Sequence, residues 1–89
     1  MVQIVENHAV IEGTLRGRER DANRPGFVRL TVRIAESCRQ GEWPDMFARL
    51  VGEELTFLAR EGSAAATAPD GTVRWRVRMA GPGVAFVED

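Results

Sequence analysis

The chain reads as mainly β, a small antiparallel β-barrel of about five strands with scope for one short helix at 44–51, and three observations carry this. Two runs, Phe27-Val28-Arg29-Leu30-Thr31-Val32-Arg33-Ile34 and Thr72-Val73-Arg74-Trp75-Arg76-Val77-Arg78-Met79, alternate between apolar and polar side chains. A period of two marks a strand with one face buried and the other in water. Gly13 and Gly17 fall on the apolar side of a third alternating run, and glycines there let a long strand bend or bulge, as the corners of a small barrel require. Turn-forming clusters separate the runs at short intervals: Asp21 to Gly26, Asp70-Gly71 and Gly81-Pro82-Gly83.

The first strand is expected over about His8 to Arg20, with Ala9, Ile11, Gly13, Leu15 and Gly17 inward and Val10, Glu12, Thr14, Arg16, Arg18 and Arg20 outward. Asp21 to Gly26 joins it to the next strand as a hairpin loop, because Asn and Asp tolerate unusual backbone angles and Pro-Gly sets a turn. The second strand runs from Phe27 to about Ser37, with Val28, Leu30, Val32 and Ile34 facing the core. Trp43 to Gly52 has two readings. Proline at a first helical position, Asp45 in the first turn, apolar residues three and four apart and Gly52 at the stop predict a helix of about two turns over 44–51. Phe47, Arg49 and Val51 also alternate, which leaves a short strand as the alternative. Glu53 to Glu61 follows as a strand, with Leu55, Phe57 and Ala59 opposite Glu54, Thr56, Leu58 and Arg60. The run from Thr72 to Met79 places Val73, Trp75, Val77 and Met79 in the core, and Val84 to Val87 is a short closing segment.

Length and composition narrow the function classes. A chain of 89 residues buries only roughly 60–65% of the surface its unfolded form exposes, so one core and a single domain over 1–89 are expected. No apolar run approaches the 18 or so residues that span a bilayer, and the first residues lack a signal peptide's basic start and long apolar stretch. Cys38 is the only cysteine, which leaves no intramolecular disulfide and no thiolate cluster for a metal. A cytoplasmic protein with no cofactor, no metal and no membrane contact is the expectation.

All twelve basic residues are arginine, and the formal net charge is −1. Guanine- and cytosine-rich codons account for an arginine bias by themselves; the alternative is that arginine's planar fork suits phosphate and stacking contacts. Sign is segregated along the chain: residues 16–39 carry +4, residues 74–78 carry +3, and residues 40–70 carry −4. Such a domain offers a basic patch without being a basic protein.

The layout resembles an OB-fold: a long first strand with glycines, a hairpin loop at 21–26, a second long strand, and the Val51-Gly52-Glu53-Glu54-Leu55 step into a later barrel strand. The resemblance is to an architecture, covers most of the chain, and implies a small curled barrel. An OB-fold usually carries its helix between the third and fourth strands, whereas the helix signal here follows the second. The match therefore needs 45–51 to be a strand, or Val2 to Val5 to supply an additional one. An SH3-like barrel or an open sheet with one helix is the alternative.

Catalytic constellations are absent from the sequence. His8 and Cys38 are the only histidine and thiol, and no spacing brings them together as a nucleophile pair. Ser37 and Ser63 lie in no nucleophile elbow or lysine-paired motif. Glu53 and Glu54 project to opposite faces of a strand, and Gly13 to Gly17 lacks the lysine and spacing of a phosphate loop. The chain is expected not to be an enzyme.

The arginine faces are the one constellation with functional content. If the three long strands adjoin, Arg16, Arg18, Arg29, Arg33, Arg74, Arg76 and Arg78 share an outer surface, with Glu12, Glu19, Glu36 and Glu54 as cross-strand partners in the plainer reading. Trp43, beside Pro44 in a polar loop, and Phe27, at the start of the second strand, either stack bases or cap the barrel ends. Two functions follow as expectations. The first is a non-catalytic protein-interaction or assembly module, partnered by another protein or by itself, that docks through an edge strand or through Trp43 to Val51. The second is a single-stranded nucleic-acid binder using Arg29, Arg33, Arg74, Arg76 and Arg78 on phosphates and Trp43 or Phe27 on bases.

Overall fold

The computed structural model describes residues 5–88. Five strands, β1 (Ala9–Arg20), β2 (Phe27–Arg39), β3 (Glu54–Arg60), β4 (Gly71–Gly81) and β5 (Val84–Glu88), close into a barrel in the order β1-β2-β3-β5-β4. At the level of architecture this is an OB-like small barrel, and its five strands close without one from 45–51 or from the described residues before Ala9, so the condition expected for the match is not met among the described residues. The three arginine-bearing strands do adjoin, because β1 pairs with β2 on one side and with β4 on the other. Four of the five pairings are antiparallel, and β3 and β5 are parallel. That single departure from the expected antiparallel barrel is a matter of parity: a ring with an odd number of strands cannot alternate direction all the way round.

The period of two predicts the core well. Ala9, Ile11, Leu15, Leu30, Val32, Ile34, Phe57, Ala59, Val73 and Val77 are all buried. Trp75, expected in the core, is partly exposed and packs against the core's side. Leu58 carries the outward parity and is still only 6% exposed, while its outward neighbours Glu54 and Arg60 are exposed.

Strand β1 bends where its glycines predict. Its register with β2 shifts between Glu12 and Gly13 and again between Leu15 and Gly17. At the first shift the strands approach so closely that a Cβ on Gly13 would run into the Arg33 carbonyl and lie 2.9 Å from Val32 Cγ1. The expected helix over 44–51 is replaced by one 3-10 turn, Ala48–Leu50. The local helix signal loses to two tertiary demands. The Asp45 carboxylate accepts hydrogen bonds from the Ser37 hydroxyl at 2.7 and 2.8 Å and from the Phe47 amide at 2.8 Å, fixing a turn. Phe47, fully buried, drops into the barrel and stacks on Phe57 with ring centroids 5.8 Å apart. At the opposite end Ala65 and Ala66, from the β3–β4 connection, are buried as the second plug. Of the additional strand considered at Val2 to Val5, residues 2–4 lie outside the described residues; Val5 is exposed and in no strand.

Candidate binding surfaces

Arg16, Arg29, Arg33, Arg74, Arg76 and Arg78 are exposed on the outer face as expected. Past the Leu15/Gly17 bulge, however, β1 reverses its facing: Gly17, expected inward, stands opposite outward Thr31, and Arg18 and Arg20, expected outward, stand opposite the core-side Leu30 and Val28. Across β4, β1 and β2 one row reads Arg74, Glu12, Glu36, and the next reads Thr72, Thr14, Arg33, with Glu54 of β3 beyond. Arg76 lies between Val10 on β1 and Glu88 on β5. Of the outer-face arginines, Arg16 pairs with Glu54 at 3.4 Å, Arg29 with Glu19 at 3.6 Å and Arg78 with Glu88 at 3.8 Å; Arg20 and Arg24 pair with Glu61 and Asp21. The Arg18 guanidinium donates to the Ala68 carbonyl. Among the described residues, Arg33, Arg74 and Arg76 have no carboxylate within 4.0 Å. The surface is thus a mosaic of both signs, in which exposed pairs contribute about 0–1 kcal/mol each.

Three of the expected residues are joined by three that sequence reasoning passed over. The Phe27 ring meets the Phe86 ring edge to face with centroids 5.9 Å apart. The Arg78 guanidinium lies 4.9 Å above the centroid of Phe86. Arg78 pairs with Glu88, whose carboxylate lies 2.8–2.9 Å from His8 Nδ1. The His8 ring in turn contacts the edge of Trp43 at 5.3 Å. Phe27, Phe86, Arg78, Glu88, His8 and Trp43 therefore make one continuous line over the outside of the barrel. Its middle was not legible in the sequence, because insertion of β5 between β3 and β4 brings Phe86 and Glu88 there.

Backbone contacts anchor the line at the Trp43 end. The His8 amide donates to the Pro44 carbonyl at 3.3 Å, and the Gln40 amide donates to the His8 carbonyl at 3.4 Å. Glu6 occupies the other imidazole nitrogen, 3.0 Å from Nε2. The hydrogen bonds to Glu6 and then to Glu88 raise the His8 pKa above its ordinary value of 6.5, with partial burial opposing them. Cys38 is exposed on the outer side of β2 opposite Val10, and His8 is engaged by carboxylates.

Beside this line the outer surface of β2, β3 and β5 carries two hollows. One, of about 370 Å³, is lined by Phe27, Arg60, Arg78, Phe86, Val87 and Glu88. The other, of about 230 Å³, lies between the Asp21–Gly26 loop and Gly83, with Arg29, Thr56 and Leu58 along it.

A second surface of different character covers the β2–β3 connection. Of the four exposed large apolar side chains among the described residues, Trp43, Met46 and Val51 fall within nine residues; Val5 is the other. Asp45, Met46, Arg49 and Leu50 border a hollow of about 420 Å³ there. Exposed Glu42, Glu53 and Glu54 flank the connection. No helix of the described residues is long and apolar enough to cross a membrane. Among the described residues no three His, Cys, Asp or Glu side chains gather as metal ligands. No family model, no curated protein and no solved structure matches this chain.

Proposed function

We propose that the barrel is a non-catalytic binding module that docks a protein partner through the connection from Trp43 to Val51. The observation that carries this reading is the concentration of Trp43, Met46 and Val51, 44%, 37% and 44% exposed, on one nine-residue segment of a small domain. Tryptophan, methionine and arginine are enriched where protein interfaces concentrate their energy. The segment is also held firmly, by Phe47 beneath it and by Asp45 and His8 at its base, so docking costs little ordering entropy. Its flanking acids, Glu42, Asp45, Glu53 and Glu54, outnumber Arg49 and select a partner surface with a basic rim around an apolar recess. The test is capture with the wild-type chain and with a Met46→Asp, Val51→Asp variant, followed by reconstitution with the purified partner. A partner bound by wild type and lost by the variant supports the reading; equal binding by both overturns it. Light scattering across concentration and salt separates a foreign partner from a second copy of the chain.

A second reading, binding of single-stranded nucleic acid, draws support from Phe27 and Phe86 beside Arg78, and from Arg33, Arg74 and Arg76, which are free of carboxylate partners among the described residues. It requires anisotropy of a labelled oligonucleotide to fall steeply between about 50 and 200 mM salt, as counterion release demands. Binding unchanged by Arg74→Glu with Arg76→Glu removes those two arginines from the phosphate-contacting set.

A further inference from the structure

We propose that the hollow lined by Phe27 and Phe86 is a binding site for a flat aromatic ring carrying a phosphate, held by Arg60 and Arg78, with its charge set by the His8–Glu88 pair. The inference rests on the nucleic-acid reading and is independent of the docking segment. At about 370 Å³ the hollow is the size of a small-ligand site. Its ring-binding surface is the edge-to-face pair of Phe27 and Phe86, both partly exposed, and base–aromatic stacking is tolerant of ring identity. Arg78 already lies 4.9 Å over Phe86. Arg60 is exposed and, among the described residues, has no carboxylate within 4.0 Å. Guanidinium forks hold phosphate oxygens in bidentate fashion.

Glu88 also lines this hollow, and an ionised carboxylate opposes an anion. The structure answers this with His8, whose Nδ1 contacts both Glu88 oxygens at 2.8 and 2.9 Å, and with Arg78 Nε at 3.8 Å. The charged groups facing His8 are Glu6 from the preceding segment and Glu88 from β5. Arg78 of β4 reaches it only through Glu88; Arg76 stands opposite Glu88 in register but has no carboxylate within 4.0 Å among the described residues, and Trp43 from the β2–β3 connection is uncharged. Protonated His8 leaves two net positive charges among Arg60, Arg78, His8 and Glu88, and neutral His8 leaves one. Ligand affinity therefore rises as pH falls through the titration of His8.

Calorimetric titration of the full chain with adenosine monophosphate, an oligothymidylate of about eight nucleotides, adenosine and inorganic phosphate tests this at about 50 mM salt, at pH 6 and pH 8. Adenosine monophosphate or the oligonucleotide binds severalfold more tightly at the lower pH, and adenosine and phosphate alone bind far more weakly. Binding of the mononucleotide identifies a free nucleotide as the source of the ring and phosphate; binding of the oligonucleotide alone identifies one unit of a strand. Arg60→Ala weakens either by about tenfold, the value of one charge-assisted contact, and His8→Gln removes the pH difference. Binding of neither probe overturns the proposal. Oligonucleotide binding that survives both Arg60→Ala and Phe86→Leu also overturns this hollow while leaving the nucleic-acid reading intact. Arg60 is exposed, so its variant remains decisive if Phe86→Leu impairs folding.

Discussion

Glu88 holds His8 through both carboxylate oxygens, Oε1 at 2.8 Å and Oε2 at 2.9 Å from Nδ1, and so ties the last strand of the barrel to the residue just before the first. The imidazole is clamped from its other side by Glu6. One histidine thereby joins the aromatic–arginine surface to the base of the docking segment.

The clamp makes stability depend on pH with a definite sign. Because the folded His8 pKa is raised by Glu6 and Glu88, its contribution is fully present below the unfolded value of about 6.5 and is lost as pH rises through the folded value. Melting temperatures of wild type and His8→Gln, followed by circular dichroism, should converge as pH rises through that window, with wild type the more stable at its acid side. Parallel curves would show that the clamp stores no stability.

Asn7 does for β4 what His8 does for β5. Its carboxamide, 2% exposed, accepts from the Met79 amide at 2.8 Å and donates to the Met79 and Val5 carbonyls at 2.9 Å. Asn7→Ala leaves a part-buried amide and carbonyl of β4 without their partner, and urea unfolding should report a loss of about 1–3 kcal/mol.

The two glycines of β1 should differ sharply in their tolerance of alanine. Gly13→Ala forces the β1–β2 bulge apart against the Arg33 carbonyl and should cost about 3 kcal/mol, the upper part of the range for overpacking. At Gly17 the nearest atom to an added Cβ is Thr31 Cβ at 3.7 Å, an ordinary contact, so that substitution should change stability by less than about 0.5 kcal/mol. Equal effects in chemical denaturation would contradict the close approach at Gly13.

Neighbouring residues of the β2–β3 connection should separate folding from docking. Phe47→Ala empties a fully buried ring position and should destabilise by about 3–5 kcal/mol. Met46→Asp, on an exposed side chain, should leave the urea midpoint nearly unchanged while abolishing partner capture. A Met46→Asp variant that unfolds easily would place Met46 in the core's support and remove it from the interface.

The sequence by itself determined which segments are strands and, for all but the end of β1, which side faces inward, because alternation is written into neighbouring residues: Ile11, Leu30, Val32, Val73 and Val77 are buried as their parity requires, whereas the bulge after Leu15 turns Arg18 and Arg20 to the side of Leu30 and Val28. It also marked Gly13 and Gly17 as bending points and named Phe27, Arg78 and Trp43 as candidates. What only the tertiary structure decided is who neighbours whom. Periodicity encodes a face but no partner, so nothing local announced that β5 would enter between β3 and β4 and carry Phe86 and Glu88 to Phe27, Arg78 and His8. Nor could local pattern foresee that Glu12 would stand in register beside Arg74. At 44–51 the local helix signal survives only as the Ala48–Leu50 3-10 turn, because burying Phe47 as the barrel's plug is worth more than the few further hydrogen bonds of a short helix.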